Sequence, residues 1–349
     1  MTDATMSLPA RFASEQELED FLSTPNADLI ADLAALDGDV MILGAAGKMG
    51  PSMALLAQRA VAEGGLRKRI IAVSRFSTPG SAEALQRAGV ETISADLIDA
   101  AALRRLPDAP NIVFMVGHKF GATGQEPLTW AINSFLPGLV TQRFPGSRMV
   151  AFSSGNIYPF VPTASGGCME ETAPAPVGEY AQSVLGRERI MQHFAQQLGI
   201  DLAIYRLNYA VEMRYGVLLD VATKVAHGEP VDLTMGYANV IWQGDANAYA
   251  LRCLKLATRP PLVLNITGPE TISVRQLAEQ FGRLLGREPI LQGTEAPTAL
   301  LNNAQRAHAL LGYPRVPLGA VIGWVADWVK SGGATLGKPT KFQVRDGRF

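Results

Sequence analysis

From Asp39 onward, apolar runs recur along the chain at intervals filled by longer amphipathic stretches. "DVMILG", "RIIAVSR", "VETISAD", "NIVFMVG", "RMVAFSS" and "DLAIYRL" are dense in aliphatic and β-branched residues with little polar alternation, as expected of strands covered on both faces. Between them, "PSMALLAQRAVAEGG", "SAEALQRAG" and "LTWAINSFLPGLVTQRF" carry apolar residues at helical spacing. Parallel strands need a crossover, and alternating strands and helices supply one. The pattern predicts an α/β fold with a Rossmann-type, doubly wound parallel sheet.

Residues 1–37 read differently. Ser14 with Glu17 three residues on has capping-box spacing, and "ADLIADLAAL" follows, so this stretch is expected to be a helical extension packed on the domain edge. Past about Arg206 the alternation weakens, and Pro- and Gly-punctuated segments take over. Residues 38–208 are therefore assigned to the dinucleotide-type domain, with 238–260 returning to it. Residues 209–349 are assigned mostly to a smaller mixed substrate domain and a tail. A ligand is expected between the two domains, at the carboxyl ends of the strands. The tail "LGKPTKFQVRDGRF" mixes basic residues with aromatics, which fits a segment folded over the site, a segment folded over a neighbouring subunit, or a loosely packed terminus.

Composition narrows the partners. In 349 residues, Lys plus Arg number 31 against 32 Asp plus Glu, a formal net charge of -1, with no long single-sign run. A small-molecule partner is expected, and neither nucleic acid nor a membrane. The N-terminus lacks the basic-then-apolar order of a signal peptide, and no uncharged run approaches the ~18 residues a membrane span needs. The two cysteines, Cys168 and Cys253, form no disulfide framework, so a cytoplasmic setting fits. The four histidines never stand at metal-ligand spacing, so no metal site is expected.

"DVMILGAAGKMG" puts Gly44, Gly47 and Gly50 between the first strand and a helix start, where a pyrophosphate must approach bare backbone N–H groups. Lys48 and Met49 within the loop, and Val116 and Gly117 after the fourth strand, complete the expected cofactor contacts. The second strand ends in Ser74 and Arg75 with no carboxylate. A free ribose 2′-hydroxyl usually pairs with an acid there, whereas a 2′-phosphate prefers arginine, so NADP is favoured over NAD. Arg75 reads nearly as well as a solvated charge, or as a group stacked on the adenine of NAD. Asp96 and Leu97, after the third strand, are placed to flank the adenine.

These motifs, with "VAFSSGNIYP", "YAQSVLGRE", "YRLNYAV", "VIWQGDANAYAL" and "LNITGPETISV", resemble the extended short-chain dehydrogenase/reductases, in particular the NAD-dependent epimerase/dehydratase family, over about Asp39 to Trp328. The resemblance implies a dinucleotide-dependent oxidoreductase or epimerase acting on a polar, sugar-like hydroxyl or carbonyl compound, and a homodimer. It puts Ser154 at the catalytic serine and Tyr180 at the tyrosine acid/base. Val184 stands where the family has lysine. An ammonium there favours the phenolate of a group whose ordinary pKa is near ~10, and valine cannot supply it.

Three readings follow. Lys119 or His118, in "VFMVGHKFG", substitutes for the missing cation; or another acid/base such as Glu179, Tyr158 or Tyr209 does the chemistry; or the chain is a silent dinucleotide-binding sensor. Asn156, Tyr158, Asn208, Tyr209 and Arg214 are the expected substrate contacts.

Overall fold

In the computed structural model, which describes residues 7–119, 121 and 123–348, the six anticipated strands form one parallel sheet with a seventh. They are β1 (Val40–Leu43), β2 (Ile70–Ser74), β3 (Glu91–Ser94), β4 (Asn111–Phe114), β5 (Arg148–Ser154), β6 (Asp201–Leu207) and β7 (Leu262–Ile266). Their order across the sheet is β7-β6-β5-β4-β1-β2-β3. The chain winds outward in one direction from β1 and in the other from β4. The switch point therefore opens between the carboxyl ends of these two neighbours, where Leu43 pairs with Phe114. β3 is an edge strand, so Glu91 and Ser94 are exposed and only its neighbours have two covered faces. β7 comes from the C-terminal third, where weaker periodicity hid it.

Each face of the sheet has its own core. On one side, α2 (Ala27–Ala34), α3 (Gly50–Glu63) and the Gln243–Leu256 helix bury Leu29, Leu33, Met53, Leu56 and Leu251 against Ile42 and Val113. On the other, Leu136, Val140, Met191 and Ala195 cover Leu43, Phe114 and Met149. A third cluster, holding Trp242, Phe281, Trp324 and Trp328, fills the C-terminal lobe.

The N-terminal extension joins two of these cores. Leu18 and Leu22 of α1 (Glu15–Leu22) enter the lobe's core, where Phe12 packs edge-on to Trp324 with ring centroids 5.0 Å apart. Leu29 and Leu33 enter the sheet's core. Ser14 caps α1, accepting from Glu17 N at 3.2 Å, and the Glu17 carboxylate accepts from Ala13 N. The leader expectation for the first residues falls partly on Met1–Met6, which lie outside the described residues. No described helix is long and apolar enough to cross a membrane.

Candidate active site

The glycine loop is built as a close approach of backbone to backbone. Gly44 has φ +96°, and a Cβ there would fall 2.9 Å from Val116 N on the neighbouring β4 loop. A Cβ on Gly50 would fall 2.3 Å from Ala45 O. α3 then starts with no side-chain cap and with Pro51 in its first turn. Its positive end is left to an anion, which is the chemistry a dinucleotide pyrophosphate requires. Ser74 ends β2, with Arg75 exposed beside it; Asp96 is exposed after β3, while Leu97 is buried in the sheet's core. The cap of the next helix is Asp99, while the Asp96 carboxylate accepts from Ile98 N at 3.4 Å in the turn before it.

From this loop a cleft of about 360 Å³ runs to the C-terminal lobe. Gly47, Lys48, Met49, Gly117, Lys119, Ser154, Asn156 and Tyr180 border it on the sheet side, and Tyr209, Tyr215 and Lys338 on the other. β5 delivers Ser154 at its last position, where the chain turns into a 3₁₀ turn and the Ser154 hydroxyl accepts from Asn156 N at 3.1 Å. The long helix Gly178–Leu198 delivers Tyr180 in its first turn. The Ser154 hydroxyl donates to Asn156 Oδ1 at 3.0 Å and borders the cleft with Tyr180. Burial holds the Tyr180 phenol above its ordinary range, against the pull of Arg187 and of Ser154.

Lys119 is in the cleft, with Nζ 5.6 Å from the Tyr180 ring centre and 5.9 Å from that of Tyr209. Burial and the neighbouring Lys341 bring its pKa down to about 8. Lys48 donates to Ala210 O at 2.8 Å and lies 4.3 Å over the Tyr215 ring; burial brings its pKa to about 7. Tyr209 adopts φ +45°, a strained conformation for a bulky residue, and its hydroxyl is pushed well up by burial.

Five expected side chains stand away from the cleft. His118 is not in the cleft: its Nδ1 is 3.0 Å from Thr129 Oγ1 and its backbone is clasped by Asn133. Tyr158 is 2 % exposed and donates to Asn265, while Arg206 donates to it, so its hydroxyl belongs to a structural network. Arg214 is claimed by Glu15, Glu19 and Glu212. Asn208 is 1 % exposed, behind Gly155. Glu179 accepts from Trp130 Nε1, away from the cleft. Among the described residues, no cluster of three or more metal-binding side chains exists.

One residue was missed from the sequence. Arg187 lines the cleft although it is 4 % exposed, and its guanidinium donates to Phe152 O at 2.7 Å, Asn133 O at 3.1 Å and Asn133 Oδ1 at 3.0 Å. The signal was its spacing, seven residues after Tyr180 and three after Val184 on one helix face.

The tail also takes its place here. Leu336 N bonds Arg214 O, Thr340 N bonds Asp220 at 2.9 Å, and Arg345 donates to Thr298 O at 2.7 Å. Gly347 lies against Gly178, where a Cβ on the latter would fall 2.6 Å from Gly347 O. The tail thus straps its own subunit's cleft, contributes Lys338 to the lining and closes on the start of Tyr180's helix.

Known proteins agree with this architecture. MoeE5, solved with UDP-glucose and NAD, matches with TM-score 0.65 at 19% identity over 84% of this chain and 99% of that one. The UDP-glucuronic acid 4-epimerase from Bacillus cereus, solved with NAD, matches with TM-score 0.68 at 16% identity over 84% and 99%. The UDP-glucose 4-epimerase from Thermotoga maritima matches with TM-score 0.67 at 17% identity, again over 84% and 99%. No curated protein sequence matches the chain. The NAD dependent epimerase/dehydratase profile matches residues 40–237, more than half of the chain, and this protein belongs to that family of NAD-dependent enzymes.

Proposed function

We propose that the protein is an epimerase/dehydratase-type oxidoreductase acting on a polar, sugar-like hydroxyl or carbonyl compound, with Tyr180 as acid/base and Ser154 as its hydrogen-bonding partner. The observation that carries this reading is that Ser154 and Tyr180 stand together at the border of a cleft that begins at the glycine loop. Several structural neighbours were solved with NAD and nucleotide sugars, which supports the same substrate class here.

The uncapped start of α3 and the close-packed glycines fit a dinucleotide pyrophosphate, held by Gly47, Lys48 and Met49, with Gly117 towards its nicotinamide end. When bound, NAD(P) supplies a reversible two-electron exchange at the reacting carbon. The chain's own part is to move the proton. Tyr180 Oη takes it from a substrate hydroxyl or returns it to a carbonyl oxygen, and Ser154 fixes that oxygen's position by a second hydrogen bond. Tyr209 stays protonated and acts as a donor to the substrate. Exposed Arg75, with no carboxylate at the end of β2, supports NADP over NAD.

Calorimetric titration with NAD, NADH, NADP and NADPH tests the cofactor half. Tyr180→Phe tests the chemistry: turnover should fall by at least about 100-fold, within the range of general acid–base catalysis, while dinucleotide affinity holds. Full turnover in that variant rules out the tyrosine mechanism.

A further inference from the structure

Val184 removes the family's cation from the position one turn after Tyr180, yet the same helix face carries a guanidinium one turn further on. Positions 180, 184 and 187 fall on one face, and helical side chains lean towards the N-terminus. An arginine at 187 therefore reaches back over residue 184 towards Tyr180. Val184 is 1 % exposed, packed with Ile157, Tyr158 and Cys168, and too short to block that path.

The anchoring of Arg187 has a local cause. The helix before β5 is interrupted by a π turn, Ala131–Phe135, just ahead of Pro137. Pro137 has no N–H to give to the carbonyl of Asn133 four residues back. That carbonyl accepts from Arg187 Nε, and the Asn133 side chain accepts from Arg187 Nη2. All three acceptors of the guanidinium are neutral, so its charge is held in place without being cancelled. Among the described residues, no carboxylate forms an ion pair with Arg187, because neighbouring Glu188 is already bound by Arg206 and Ser153.

We propose that Arg187 is a positioning residue that replaces the family lysine, its fixed charge favouring the phenolate of Tyr180 and so setting the pH at which that residue exchanges protons. The inference rests on Tyr180 being the acid/base. Arg187 and Tyr180 do sense one another's charge: the phenol is drawn down by the guanidinium, and the guanidinium is supported by the phenol. The other groups facing Tyr180 are Ser154 from β5, Lys119 from the β4 loop and, beyond β6, Tyr209 and Tyr215. Lys119 is the competing cation. Burial and Lys341 bring Lys119 down to about 8, whereas the guanidinium of Arg187, although also drawn down by burial, keeps its proton well above that, so Arg187 is the cation that stays charged as Tyr180 ionises.

The test is carbon NMR of the Tyr180 ring in cofactor-free protein labelled at tyrosine Cζ, with the signal assigned by its loss in Tyr180→Phe. In Arg187→Met the Tyr180 titration should move up by about one to two pH units, the effect of losing one nearby charge in a protein-lined cleft. Arg187→Lys should recover part of that shift, and Lys119→Met should move it less. Asn133→Asp keeps Arg187 but sets a carboxylate against it, so the titration should again move up. This second variant gives the answer if Arg187→Met does not fold. An unchanged Tyr180 titration in either folded variant overturns the proposal. Failure to bind any dinucleotide would defeat the functional reading instead, and would leave this titration readable.

Discussion

At the scale of single residues, the site depends on how buried cations are held. Val184 sits in an apolar cluster, so Val184→Lys should not restore a family-like site. It crowds an ammonium against Ile157 and Cys168 and beside Arg187, and should cost about 1–3 kcal/mol of stability without raising turnover. Thermal melts and steady-state rates check this, and a gain in activity would mean that the valine is simple loss. Lys48 gives a prediction in pH. Its folded pKa of about 7 lies below the ~10.4 of an unfolded lysine, so between these values the unfolded chain holds a proton that the folded one lacks. The penalty from burying Lys48 is therefore full below pH 7 and is relieved as pH rises through that window. An anion bound beside it pulls the pKa back up, so binding NADPH at pH 8 should take up protons and weaken as pH increases. Calorimetry in two buffers of different ionisation heat reads the uptake directly, and a net release would contradict it.

At the scale of elements, a strand end, a helix start and a strap meet. β5 and the Gly178–Leu198 helix deliver Ser154 and Tyr180, and the π turn before Pro137 presents Asn133 to Arg187. The strap runs from Arg214, through Lys338 on the cleft lining, to Gly178 at the start of Tyr180's helix. Deleting residues 336–349 should therefore raise KM for substrate at least several-fold while dinucleotide affinity stays within about twofold. Paired titrations and kinetics distinguish this from general unfolding, in which both would fail together. Gly178 sits at φ +81° against Gly347, so Gly178→Ala should loosen the same closure and cost about 1–2 kcal/mol through its left-handed backbone.

At the scale of the whole molecule, one buried pair ties the sheet to the active-site helix. Arg206 on β6 and Glu188 on the helix are 5% and 0% exposed and meet at 2.8 Å, with Ser153 and Tyr158 on either side. Removing one partner leaves an uncompensated buried charge, so Glu188→Ala should destabilise the fold by about 3–5 kcal/mol in denaturant unfolding. Leu128, Trp130 and Phe135 are exposed on the helices beside Tyr180's helix, and the family resemblance implies a homodimer. Phe135→Glu should lower the mass measured by light scattering if that face joins two copies.

The sequence by itself determined six of the sheet's seven strands, the glycine loop and the spacing that pairs Ser154 with Tyr180, because each is written in local periodicity or fixed spacing. It showed the absence of lysine at 184 for the same reason. Only the tertiary structure shows which cations border the cleft with Tyr180. Lys119 and His118 are adjacent in sequence, but His118 is drawn off by Thr129 and Asn133, and Lys119 alone turns into the cleft. For Arg187 the sequence offers only its spacing from Tyr180, and its anchoring depends on Asn133 O, Asn133 Oδ1 and Phe152 O, which converge on it from other elements. Likewise, nothing in "LGKPTKFQVRDGRF" says which surface it covers. Its docking depends on Asp220, Thr298 and Gly178, which are remote in sequence and are brought together by packing.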